Sequence, residues 1–405
     1  MKNSAIGSTF IVAGTALGAG MLAMPIATVS SGFGVAFLML VGLWLVMSYT
    51  ALLLVEAYQY SQPDIGLSNL AKTYLGAPGQ WLASFAMPFL MYSLVAAYLS
   101  GGGDIITASL NEWFDLNLPK AIGVLAFATI GGTIVCVGTR SVDLVNRCLF
   151  AAKIVFLVGL LFFLLPHVKS INLETMPVGH AFVLAAIPIV FTSFGFHGSV
   201  PSLVSYMQGD TKKLRIIFIV GSAIPLVVYI LWLLATLGTI HSQTLIGILQ
   251  NTQVSALENL LSAMKAVLKT EVVEVIVATF AALALVTSFL GVALGLFDFL
   301  AGFFKRKDTA KGRLQTGLIT FLPPLPFALF FREGFVFALG FAAIALAILA
   351  LILPALLVYK TRQTHEGGYR VMGGNLGLAF VFLLGIAIII IQVLVVTGML
   401  PNLDR

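Results

Sequence analysis

Residues able to do chemistry are few in this chain and stand out because of where they fall. Only 9% of its 405 residues are Asp, Glu, Lys or Arg, and some of these lie inside long apolar runs. A charge within a hydrocarbon layer is expensive, so each is a functional candidate by default. Lys153 is the foremost, a turn or two into the apolar segment that follows Arg147. A lysine away from water can give up its proton, so it could alternate charge during a working cycle. The plainer reading is a side chain that snorkels to the cytoplasmic interface. His197 has three open roles: an interior histidine ordering its loop, a contact to a ligand hydroxyl, or a proton relay. Asp298 and Glu56 sit near the ends of apolar segments and read as gate ion pairs or helix-end anchors. Asp104, after Gly101-Gly102-Gly103, is either an outer gate or simply solvated.

Two stretches could hold a charged solute with backbone alone. The first is Gly14-Thr15-Ala16-Leu17-Gly18-Ala19-Gly20-Met21-Leu22-Ala23-Met24-Pro25; the second runs from Pro188 through Thr192-Ser193-Phe194-Gly195-Phe196-His197-Gly198 to Pro201. Both put glycines and a proline where a spanning helix should be continuous. In lipid, a freed N–H or C=O costs several kcal/mol unless protein, ligand or water satisfies it. A lone glycine-rich span is commonly a close helix contact. Two interrupted spans at corresponding places in two halves point instead to a transporter's central site.

The elements that must position these groups are transmembrane helices. The composition is 60% hydrophobic with a mean hydropathy of +1.05, against roughly 25% charged residues in soluble domains. With about 20 apolar residues needed per crossing, the sequence predicts eleven spans: 5–29, 34–58, 81–110, 121–138, 146–166, 178–205, 215–240, 272–303, 314–331, 335–359 and 374–399. The ninth is short and carries Pro323, Pro324 and Pro326. The first is too long for a signal peptide and is read as retained. With the N-terminus in the cytoplasm, sixteen of the 22 Lys and Arg fall inside, Lys2 and Arg140 among them and Lys153 counted although it lies within the fifth span, while Lys269, Arg332 and Arg405 are among the six outside. The positive-inside rule accepts that orientation, and an odd count puts the C-terminus in the periplasm. The pI near 9.3 then reflects cytoplasmic loops and not nucleic-acid binding. Cys136 and Cys148 have no metal-ligand companions, no P-loop is present, and no catalytic constellation of paired carboxylates or nucleophile and base appears. In the long outer loop, Leu257, Leu260, Leu261, Met264, Val267 and Leu268 recur at helical spacing, giving an amphipathic helix over the mouth that either moves as a lid or only packs.

Three motifs carry a resemblance. Gly14-Thr15-Ala16-Leu17-Gly18-Ala19-Gly20-Met21-Leu22, Phe194-Gly195-Phe196-His197 with Pro201-Ser202-Leu203, and Ser288-Phe289-Leu290-Gly291 through Leu294-Gly295-Leu296-Phe297-Asp298-Phe299 resemble the first, sixth and eighth spans of the hydroxy and aromatic amino acid permeases. That resemblance implies a leucine-transporter-type five-plus-five inverted repeat, with repeats at about 5–166 and 178–359 and an extra span at 374–399. It further implies proton-coupled uptake of an aromatic amino acid, tyrosine first, across the bacterial inner membrane, with alternating access and no cofactor. An amino acid zwitterion then suits the breaks. N–H groups at Gly18, Ala19, Gly20 and Met21 are expected to take its carboxylate. Carbonyls at Thr192, Ser193 and Phe194, with those near Gly14 and Thr15, are expected to take its ammonium. Phe194, Phe196, Tyr92 and Tyr98 are wall candidates for the side chain, and His197 for its hydroxyl. By the same resemblance Lys153 places its ammonium where sodium-coupled members hold an ion, with Thr287 and Ser288 lining that position. Those hydroxyls leave open a sodium-coupled symporter; an amino acid exchanger of the same fold, with wider specificity that includes tryptophan and phenylalanine, is the other alternative.

Overall fold

The computed structural model describes residues 5–174, 179–250, 254–268, 270–331 and 333–401, without the side chains at 139–141, 144 and 268. Lys2, Lys269, Arg332, Arg405 and the Arg140 and Leu268 side chains, used in the readings above, thus lie outside the description. Among the described residues every regular element is helical. The first apolar segment is two helices, α1 (Ala5–Ala16) and α2 (Gly20–Thr28), continued by a short 3₁₀ turn to Ser31. They bend by 49° at the break. Then come α3 (Phe33–Tyr58), α4 (Leu67–Phe114), α5 (Lys120–Val137), α6 (Thr139–Leu164) and the short α7 (Ser170–Leu173). The second interrupted segment is α8 (His180–Ser193), a 3₁₀ turn at His197–Ser199, and α9 (Val200–Tyr206).

The chain continues with α10 (Thr211–Thr239), α11 (Ser242–Leu249), α12 (Ala256–Leu268) and α13 (Glu271–Phe303). It ends with α14 (Ala310–Phe321), α15 (Pro324–Phe330), α16 (Gly334–Ala347), α17 (Leu353–Thr364) and α18 (Gly374–Val396), a π-helical turn at Ile348–Ile352 fusing α16 to α17. Among the described residues nine helices are long and apolar enough to cross a membrane, and the bent α1–α2 pair makes ten. The segment expected as a ninth span, 314–331, is where the count departs from eleven. Pro323 and Pro324 follow the end of α14, and proline can neither donate the next helical hydrogen bond nor clear the carbonyl four residues back. The segment therefore becomes two helices of 12 and 7 residues.

Helix α4 exceeds its expected span of 81–110. At ~1.5 Å per residue its length far exceeds a hydrocarbon layer of ~30 Å. Gly76, with φ +71°, breaks its regularity near the N-terminal end. Beyond that kink the glycine run serves contact: a Cβ at Gly103 would stand 2.8 Å from the Val124 backbone nitrogen, so α4 and α5 meet at backbone distance, as small residues allow between membrane helices. Helix α10 packs on α1 and α3, α2 on α8, and α13 on α4, α5 and α6, which brings the two breaks side by side in the middle. Large apolar side chains such as Phe162, Leu383 and Phe85 are exposed, as lipid-facing positions require.

Candidate functional site

The first break is built by side chains from other helices. After Ala16 the chain leaves the helix: the Gly18 N–H donates to Ala16 O (2.6 Å) instead of four residues back. The freed Leu17 carbonyl accepts from Lys153 Nζ at 2.7 Å, and that ammonium also lies 3.3 Å from Thr287 Oγ1 and 4.4 Å above the Phe150 ring. Lys153 is 3% exposed, which excludes the snorkelling alternative. The Ala19 N–H donates to Ser288 Oγ (2.8 Å), and the Trp232 indole donates to Met21 O (2.8 Å). The Tyr229 hydroxyl lies within donating distance of Ala16 O (2.5 Å) and of Ser193 O (2.8 Å), spanning the two breaks. A Cβ on Gly20 would meet Ser193 Oγ at 2.8 Å and its Cα at 3.2 Å; only glycine lets α2 approach α8 this closely.

The second break is serviced mostly from within. Thr192 and Ser193 turn their hydroxyls back to Pro188 O and Ile189 O, Thr192 also reaching Leu339 O on α16. Gly195 N–H donates to Thr192 O and Phe196 N–H to Phe194 O. Phe194 is fully buried edge-on to Tyr229, while Phe196 stacks on Phe218. His197 Nε2 is 2.8 Å from Thr50 Oγ1 on α3; its Nδ1 has no partner among the described residues. Paired broken helices, a buried ammonium on a helix-end carbonyl and one tyrosine bridging both breaks make a constellation suited to a charged solute at mid-membrane. The model of the tryptophan/tyrosine permease family matches residues 1–392.

The chain belongs to that family. It is 42% identical to the tyrosine-specific transport system 1 of Haemophilus influenzae over 98% of this chain and 99% of that protein. It is 40% identical to that organism's tyrosine-specific transport system 2, over 99% of each chain, and 36% identical to its tryptophan-specific transport protein, over 96% of each. It is an amino acid permease, not an enzyme, and a multi-pass membrane protein.

Within this permease the residues singled out in the sequence separate into two sets. Gly18, Ala19, Gly20, Met21, Thr192, Ser193, Phe194, Lys153, Thr287 and Ser288 converge on the paired breaks, and Tyr98 joins them through the Ser288 hydroxyl. Gly14 is near, against the Phe150 ring. Others stand apart. Thr15 is exposed and bonds back to Ile11 O. Tyr92 spends its hydroxyl on Ile319 O of α14. Phe196 and His197 pack toward α10 and α3. Glu56 is held in an ion pair near the end of α3: Arg362 clamps it through two bonds of 2.6 and 2.9 Å, and the Val371 N–H adds a third. Asp298 is exposed. Tyr229 and Trp232 were missed: an aromatic with a polar tip seeks a partner when buried, but the seventh span also carries Ser222, Thr236 and Thr239, and nothing local marks these two.

Proposed function

We propose that this permease is a proton-coupled symporter that carries an aromatic amino acid, L-tyrosine first, into the cell across the bacterial inner membrane. It would do so with eleven spans arranged as an inverted five-plus-five repeat, α14 and α15 jointly forming the ninth. The observation carrying the reading is the Lys153 ammonium on the Leu17 carbonyl at the first break. A group held by a broken helix end feels any rearrangement of that break, so gain or loss of its proton and movement of the helix are coupled. The substrate ring follows the names of the relatives, two of them tyrosine-specific. The zwitterion would replace the present partners of the break, its carboxylate taking N–H groups near Gly20 and its ammonium the carbonyls near Ser193.

The test is accumulation of labelled L-tyrosine in proteoliposomes at fixed sodium. Concentrative uptake is expected to vanish with an uncoupler and in Lys153→Ala, while that variant keeps measurable tyrosine binding. Unchanged uptake under the uncoupler would sink proton coupling, and normal accumulation by Lys153→Ala would remove the lysine from it. The sodium-coupled alternative draws on the oxygens of Leu17, Thr287 and Ser288; it would show as uptake that follows the sodium gradient.

A further inference from the structure

A polar cavity lies outside the breaks. It holds about 180 Å³ between the outer part of α4 and α12, with Ala278 of α13 completing the wall. Its floor is Asp104, 5% exposed; its rim carries Glu112, Glu258 and Lys265, and Ile105, Leu257 and Leu261 supply apolar wall. Lys120 Nζ pairs with Asp104 Oδ1 at 2.9 Å and reaches Ser100 Oγ at 2.8 Å. Among the described residues Asp104 Oδ2 has no hydrogen-bond partner, although the Ser255 hydroxyl stands beside the carboxylate. A carboxylate oxygen so buried loses its hydration, and a group of this kind left without a donor is strongly disfavoured unless something supplies one. Across the mouth Lys265 binds Glu112 at 2.9 Å, so three carboxylates face two lysines and the chamber is net negative. Burial, and next the Asp104 charge, hold the Glu258 carboxyl above the ordinary carboxylate range; an entering cation would relieve both effects.

The chamber also has a place on the path. Asp104 lies six residues outward of Tyr98 on α4, roughly 9 Å at 1.5 Å per residue. Between them Leu257, Leu285 and Phe335 converge on Gly101, each 3.0 to 3.3 Å from where its Cβ would stand. An apolar plug, one part of it a residue of α12, thus separates the outer chamber from the paired breaks.

We propose that the chamber beneath α12 is an outer subsite for the substrate, taking a primary ammonium on an apolar body, with Asp104 Oδ2 receiving the ammonium and Lys265 within reach of a carboxylate. This rests on the function proposed above. Its occupant passes the Leu257 plug when α12 lifts, and the lysine pairs on Asp104 and Glu112 keep the chamber from collapsing when it is empty.

Two measurements test it. In L-tyrosine uptake, Asp104→Asn is expected to raise KM at least fivefold with Vmax within twofold, and Asp104→Glu to recover most of the KM. An unchanged KM, or a loss confined to Vmax, would overturn the subsite. If Asp104→Asn fails to reach the membrane, Glu258→Gln is the second variant, with a smaller KM rise of two- to threefold expected and no rise counting against. Independently, Ser109→Cys in a chain with Cys136 and Cys148 changed to serine is labelled from outside by a cationic thiol reagent. Tyramine, an ammonium on a phenol without a carboxylate, is expected to slow labelling at least threefold; no protection overturns the proposal. If the unaltered protein takes up no tyrosine, the transport reading fails, while tyramine protection still decides the chamber.

Discussion

The two breaks look alike as sequence and are built in opposite ways. Each is a glycine-bearing interruption followed by proline. The first borrows its partners: Lys153 from α6, Ser288 from α13, and Tyr229 and Trp232 from α10 all reach its backbone. The second folds its own Thr192 and Ser193 hydroxyls back one turn. A break capped from within keeps its shape wherever it goes, whereas one capped by three other helices reports their positions. On the proposed mechanism that difference would make the first break the place for coupling, and the second a fixed counterpart against which it moves. Tyr229 is the exception that joins them.

The sharpest way to break this contrast is steric. Gly20→Val places a branched side chain where even a Cβ would stand 2.8 Å from Ser193 Oγ. Overpacking of this order costs about 1–3 kcal/mol and forces α2 away from α8. Uptake is expected to be lost, with thermal unfolding in detergent shifted down by several degrees. Full uptake in Gly20→Val would mean that the breaks need not touch.

Removing the bridge is the next largest change. Tyr229→Phe keeps the buried ring on Phe194 but leaves the carbonyls of Ala16 and Ser193 without this donor, at about 1–3 kcal/mol for a buried group. A tenfold fall in Vmax corresponds to ~1.4 kcal/mol and is the size expected, with KM moving less. A variant indistinguishable from the parent would show that the two breaks are held by packing alone.

Much of this arrangement was readable in the sequence, and the unread part has a common cause. Glycine, proline and charge in an apolar run violate local rules, so the breaks, Lys153 and the amphipathic α12 announce themselves. Tyr229 violates nothing: a tyrosine in a spanning helix is ordinary until the fold brings its hydroxyl to two carbonyls contributed by α1 and α8. The partner of Tyr92 was hidden for the same reason, since its hydroxyl meets Ile319 O, 227 residues away. Asp104 was visible as a charge, but the cavity over it exists only once α12 is folded down. The ninth span was the weakest on its prolines, and those prolines do divide it.

The smallest expected effect discriminates between the roles open to His197. Thr50→Val removes the hydroxyl at 2.8 Å from Nε2 while nearly preserving shape, a change worth about 1 kcal/mol. The ring is 2% exposed, tilted against Phe196 at a centroid distance of 4.8 Å, and directed at α3, not at the paired breaks. A histidine so placed is expected to order the turn between α8 and α9 and not to touch the substrate. KM for L-tyrosine and competition by L-phenylalanine are therefore expected to stay within twofold of the parent, with a modest loss of thermal stability. A site that hydrogen-bonds a substrate hydroxyl discriminates strongly against the analogue lacking it. If His197 were that group, Thr50→Val would raise the tyrosine KM and leave phenylalanine untouched. That split would move the second break from fixed counterpart to specificity element, and the contrast between the two breaks would have to be redrawn around it.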